Sequence, residues 1–183
     1  MTYPVHTIET APEAARDSLA AAGKAYGFVP NLLAVMAEAP ALLKAYGTMI
    51  KIFDETSFTP SERQVVLLAT SAENECDYCV AAHSVISQVQ KVPADVVQAI
   101  RDNRPLADRK LEALRRLTVS IVQSRGLPAT AELEAFLDAG YTRAQVLEVL
   151  LGVGAKTLSN YTNHLADTPL DRAFASAAWS KAA

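Results

Sequence analysis

The chain has no run of lysines and arginines, no apolar stretch near membrane-spanning length and only two cysteines among 183 residues. Each scarcity excludes something. Seventeen basic residues against 20 acidic leave a formal charge of −3, and without a basic patch nucleic acid is not an expected partner. The most apolar window, 146–153, is broken by Glu148 and Gly152. It falls well short of the roughly 20 residues that cross a bilayer, so no membrane partner is expected. The opening Met1-Thr2-Tyr3-Pro4-Val5-His6 lacks both the basic and the apolar parts of a secretory signal, so a cytoplasmic location is expected. In such a reducing compartment, two close cysteines read as redox-active or metal-binding rather than as a staple. No long segment alternates with period two, and no linker or low-complexity tract divides the chain.

What is present is helical punctuation. Half the residues are hydrophobic and one fifth charged, the balance of a folded domain. Thr10 and Pro12 predict a first helix over 12–26, ended by Gly27. Further helices are predicted over 31–38 and 40–53. Thr59-Pro60-Ser61-Glu62 combines an N-cap, a proline at the first helical position and a glutamate three residues after the cap, which is a capping box. The helix it starts ends near Glu73-Asn74-Glu75, and another begins at Cys76 or Asp77 and reaches about Gln90. Pro93 opens the next, a long amphipathic helix covers 107–125, and a shorter one ends at Asp138 before Gly140. Thr142 and Gln145 form a second capping box. The helix behind it is apolar over most of its circumference through Val146, Leu147, Val149, Leu150, Leu151 and Val153, which places it in the core or a subunit interface. A last helix is predicted over 168–180. The fold class is all-α.

Cys76, Cys79 and His83 are spaced i, i+3, i+7, so on a helix they share one face. The imidazole can reach the Cys79 sulfur one turn away. A helix start also lends its free N–H groups and positive dipole end to a thiolate. One segment thereby holds a low-pKa nucleophile, a resolving thiol and a proton-transfer base, the set needed for reversible dithiol chemistry. Two other readings stand beside it. The cysteines are small core residues with a satisfied histidine, or Cys76, Cys79 and His83 bind zinc with His164 as a fourth ligand. His164 otherwise lines the thiol pocket, ties subunits together or is structural, and His6 reads as a surface residue.

Glu62-Arg63-Gln64-Val65-Val66-Leu67-Leu68, followed by Glu73-Asn74-Glu75-Cys76-Asp77-Tyr78-Cys79-Val80-Ala81-Ala82-His83, resembles the core of the AhpD-like (alkylhydroperoxidase D, carboxymuconolactone decarboxylase) superfamily. Gly27-Phe28-Val29-Pro30-Asn31-Leu32-Leu33 is similar to the entry segment of its peroxidase-related members, and the resemblance spans about 27–164. It implies a helical bundle that assembles as a trimer or hexamer. It also implies reduction of a hydroperoxide in which Cys79 attacks, Cys76 resolves the sulfenic acid, and His83 is the motif histidine. An external dithiol, such as a lipoyl protein, would reset the pair, and no cofactor is called for. The family pattern has a glutamate where this chain has Gln64, which cannot exchange a proton as a carboxylate does. Glu73 is the expected replacement, ahead of Glu62, which caps a helix, and Glu75, which reads as solvated. Tyr78 is expected to shape access. The layout expected is a single domain, with a helical extension over 1–58, a core with the motif over 59–165 and a C-terminal helix over 166–183. The alternatives are a decarboxylase, which would need acid–base residues rather than thiols, and a non-catalytic oligomer that senses redox state or binds zinc.

Overall fold

The computed structural model describes residues 3–181, and among them there is no strand. Nine α-helices follow in order: α1 Glu13–Tyr26, α2 Asn31–Met36, α3 Pro40–Asp54, α4 Pro60–Glu73, α5 Asp77–Val89, α6 Ala94–Arg101, α7 Arg109–Gln123, α8 Thr130–Asp138 and α9 Arg143–Ala166. Both capping boxes are formed, Thr59 with Glu62 and Thr142 with Gln145. Gly27 ends α1 in the left-handed conformation, where only a residue without Cβ is unstrained.

Helix α4 is the axis of the molecule. It is buried without interruption from Gln64 to Ser71 and packs against α5, α6, α7 and α9. One apolar cluster fills the space among α4, α6, α7, α8 and α9, around Val65, Leu68, Leu114, Leu117, Phe136 and Val149. A second joins α1, α2 and α3 to α5 and contains both cysteines, with Leu19, Met36, Leu43 and Tyr46. Helices α1, α2 and α3 therefore form one wall of the cysteine site. The crossing of α9 over α3 and α4 is close at Gly152, where a Cβ would sit 2.7 Å from the Phe53 ring and 2.8 Å from Val66.

The turn from α4 into α5 sets up the motif. The Cys76 N–H bonds the Ser71 carbonyl at 2.9 Å and the Glu75 N–H bonds Ala72 at 3.1 Å, with Glu75 left-handed at φ 56°. This is a Schellman closure. It ends α4 and delivers Cys76 as the N-cap of α5.

Two expectations are corrected. Thr10 does not cap α1; Pro12 holds that position, and Thr10 bonds within a preceding turn to Thr7. The last helix over 168–180 is absent as an α-helix. After Asp167 turns left-handed, the chain forms only a 3₁₀ segment, Arg172–Ala177. The tail is held by side chains instead: Arg101 donates to the Ala177 and Ala178 carbonyls, and the Trp179 indole donates to the Arg101 carbonyl. Those carbonyls, spent on Arg101, do not carry a helix ladder.

Candidate active site

Cys76 and Cys79 are free and buried, at 0% and 1% exposure. Cys76 is the N-cap of α5 and Cys79 lies in its first turn, where backbone N–H groups have no helical partner. His83 follows one turn on, also buried. The structure thus brings Cys76, Cys79 and His83 together.

The opposite wall is a face of α9 carrying Lys156, Ser159 and Asn163 at i, i+3, i+7. Asn163 Nδ2 donates to Cys79 Sγ at 3.2 Å and to Cys76 Sγ at 3.6 Å. Ser159 Oγ lies 3.7 Å from Cys79 Sγ. Lys156 is 1% exposed and lies beside Cys79 and the buried Tyr46 phenol of α3. Behind this layer Asn74 donates to Asn160 at 3.0 Å, and Asn160 donates to Ser71 at 3.4 Å, fixing α9 against the α4–α5 turn.

The two thiols are driven apart. Burial pushes Cys79 up, but the thiol hydrogen of Cys76, the Lys156 ammonium and the Ser159 hydroxyl outweigh it and hold Cys79 well below the ordinary thiol range. Cys76 is raised, first because it donates to Cys79, then by its own burial. The pair therefore favours a Cys79 thiolate that accepts from a Cys76 thiol. Lys156 is pulled down by burial, but the charge of Cys79 beside it more than offsets this, so it stays an ammonium.

Gln64 sits behind His83. Its Nε2 donates to Gln90 Oε1 at 3.1 Å, so its Oε1 faces His83 Nδ1 as an acceptor at 3.0 Å. Nδ1 therefore carries the hydrogen, and Nε2 is left as a lone pair. Burial and then the Lys156 charge hold His83 well below the ordinary histidine value, so it is neutral.

Glu73 does not join this group. Its carboxylate accepts from Gln123 at 3.0 Å and lines a different cavity with Arg101, Arg115 and Trp179. The Schellman turn reverses the chain between Glu73 and Cys76, so closeness in sequence is not closeness in space. Glu62 caps α4 and meets Lys110, and Glu75 pairs with Lys181 on the surface. His164 is exposed and stacks on Tyr161, away from the thiols, and His6 bonds Glu38 at 2.7 Å. Among the described residues no three His, Cys, Asp or Glu side chains are placed to hold a metal ion. Lys156, Ser159 and Asn163 were missed from the sequence. The signal that could have found them is a lysine, a serine and an asparagine sharing one face of the helix behind the Thr142 capping box.

A cavity of about 550 Å³ opens onto Cys79, His83 and Lys156. Its walls are mainly apolar, with Leu32, Leu43, Tyr46, Ile50, Tyr78 and Phe174, and its exposed rim carries Lys44, Lys51, Asp54 and Gln90. Asp54 is the one carboxylate among the described residues that line it. Tyr78 closes one end: its hydroxyl donates to Asp171 at 2.5 Å and accepts from the Leu32 N–H at 3.2 Å.

Residues 37–115, which include the cysteine motif, match the carboxymuconolactone decarboxylase family. The fold matches the alkylhydroperoxidase AhpD core of an uncharacterized peroxidase-related protein from Ralstonia eutropha JMP134, at 23% identity, over 94% of this chain and 93% of that one, with a TM-score of 0.83. The chain thus has the fold of the AhpD core, and its segment 37–115 matches the carboxymuconolactone decarboxylase family. A second similar structure is the debrominase Bmp8, at 16% identity over 97% and 95% of the two chains, with a TM-score of 0.80. A third is a peroxidase-related protein from Silicibacter sp. TM1040, at 16% identity over 95% and 92%, with a TM-score of 0.76. No curated protein matches the chain. Among the described residues no helix is long and apolar enough to cross a membrane.

Proposed function

We propose that the protein is a dithiol/disulfide oxidoreductase that reduces organic hydroperoxides. The observation that carries this reading is the Cys79 sulfur, facing a largely apolar cavity with an ammonium, an amide and a hydroxyl around it and a second thiol donating to it. Thiolate, not thiol, is the nucleophile. Cys79 attacks the terminal peroxide oxygen, the O–O bond breaks, and Cys79 becomes a sulfenic acid while an alkoxide leaves. His83 Nε2 accepts the peroxide O–H and orients it. The Cys76 thiol then displaces water from the sulfenic acid, giving the disulfide. An external dithiol, by family likeness one carried on a lipoyl protein, reduces it again. The catalytic residues in this proposal are Cys79, Cys76 and His83; Glu73 has no part in it.

Stoichiometric tert-butyl hydroperoxide should remove both titratable thiols and lower the mass by two hydrogens. Cys76→Ser should stop at a sulfenic acid trapped on Cys79, and Cys79→Ser should not react. A Cys76 sulfenic acid in Cys79→Ser would reverse the roles.

A second reading uses the same sulfur. A structure of debrominase Bmp8 holds 2,3,4-tribromopyrrole. The aromatic-walled cavity here has room for one small ring, and a dithiol can replace C–Br by C–H, with disulfide, bromide and a proton as the other products. Bromide release from a bromopyrrole decides between the two. The decarboxylase reading keeps the support of the family match over residues 37–115, and what favours thiol chemistry over it is the pair of buried free cysteines, of which Cys79 lines the cavity.

A further inference from the structure

Resting on that reading, one step still needs a source: the proton for the departing alkoxide. His83 cannot supply it, because Nδ1 is committed to Gln64 and Nε2 has no hydrogen. Cys76 has one hydrogen, which leaves in the water formed with the sulfenic oxygen. Glu73, the residue the sequence suggested, lies in another cavity. Asp54 sits at the rim and pairs with Arg63 at 3.6 Å.

We infer that Lys156 is the proton donor of the site: its ammonium protonates the leaving alkoxide, and the amine regains the proton when the disulfide is reduced. The geometry allows it, since Lys156 lines the cavity beside Cys79 and is sealed from bulk water on its other sides. The balance is complete. Cys79 thiolate, Lys156 ammonium, Cys76 thiol and ROOH become the disulfide, neutral Lys156, ROH and water, with five hydrogens and zero net charge on each side. The electrostatics favour it too. Before the reaction the thiolate keeps a buried ammonium charged; once the sulfur is in a disulfide, that countercharge is gone and a buried ammonium is unfavourable. Oxidation of the sulfur and deprotonation of the lysine thus promote each other. The other ionisable groups facing Lys156 are Cys76 and His83 of α5, Tyr46 of α3 and Tyr26 of α1. Of these Tyr46 is the rival donor, because burial raises it and keeps its hydroxyl protonated.

The test has two arms on the purified protein. In the first, thiolate absorbance near 240 nm is titrated with pH, and thiol loss with tert-butyl hydroperoxide is timed, for the wild type, Lys156→Met, Lys156→Gln and Tyr46→Phe. The wild type should show one thiolate at pH 7. Both lysine variants should move its midpoint up by a unit or more and slow thiol loss by about 10²-fold. Tyr46→Phe should lose much less. In the second arm the wild type is oxidised in weakly buffered solution and its proton uptake measured with an indicator dye. Uptake should be near zero per disulfide although a thiolate was consumed. One proton taken up per disulfide, no thiolate at pH 7, or a larger loss in Tyr46→Phe than in the lysine variants each overturns the assignment. The underlying reading fails separately, if wild-type protein forms no disulfide with the peroxide at all.

Discussion

His83 makes the site's polarity measurable through stability. Burial, then the Lys156 charge, holds its native value well below that of the unfolded chain. Between the native value and about pH 6.5 the unfolded chain therefore binds a proton that the native chain does not. Stability contributed by the neutral imidazole is present above pH 6.5 and falls on acidification, by about 1.4 kcal/mol per pH unit for one proton. Urea unfolding at pH 7, 6 and 5 should show this slope reduced by one proton in His83→Gln; equal slopes would mean His83 is already charged in the native state. Cys76, Cys79 and His83 were legible because their spacing is local to one helix. Lys156 and Asn163 were not, because they come from α9, and Asn163 lies 84 residues beyond the Cys79 it touches. A lone lysine inside a helix ordinarily reads as a solvated residue; only the packing of α9 on α5 turns it inward.

At the scale of elements, the capping boxes at Thr59 and Thr142 and the stop at Gly27 were readable because caps are local hydrogen bonds. The tail was not, since Ala177 and Trp179 are both tied to Arg101, 76 and 78 residues earlier in the chain. Gly152 is the element-scale control on the site. It lets α9 approach α3 and α4 closely enough to set Lys156, one turn further on, against the thiols. In Gly152→Ala the new Cβ would sit 2.7 Å from Phe53 and 2.8 Å from Val66. Overpacking of this kind costs about 1–3 kcal/mol, partly offset by the roughly 1 kcal/mol better helix propensity of alanine. The expected outcome is a lower urea midpoint together with a raised thiolate midpoint. A shift in stability alone would show that the crossing does not position Lys156.

For the whole molecule, the expected burial of α9 is only half met. Val149 and Val153 enter the core, while Leu147, Leu150, Tyr161 and Leu165 are 50% exposed or more. They lie 3, 11 and 4 residues apart, intervals that keep all four on one outer face of the helix, an apolar face open to a second copy. The prediction is a homo-oligomer at micromolar concentration, dissociated to 19.6 kDa in sedimentation by Leu147→Glu with Leu165→Glu. A wild-type chain that sediments as a monomer would refute it. The Asp171 clasp has its own consequence. This one carboxylate accepts from the Asn31 N–H and from the Tyr78 hydroxyl, joining the entry of the chain, the motif helix and the exit across a separation of 140 residues. So long a loop closes late in folding. During synthesis the motif leaves the ribosome well before residue 171 does, and the reactive pair must pass through a stage in which neither α9 nor the clasp yet covers it.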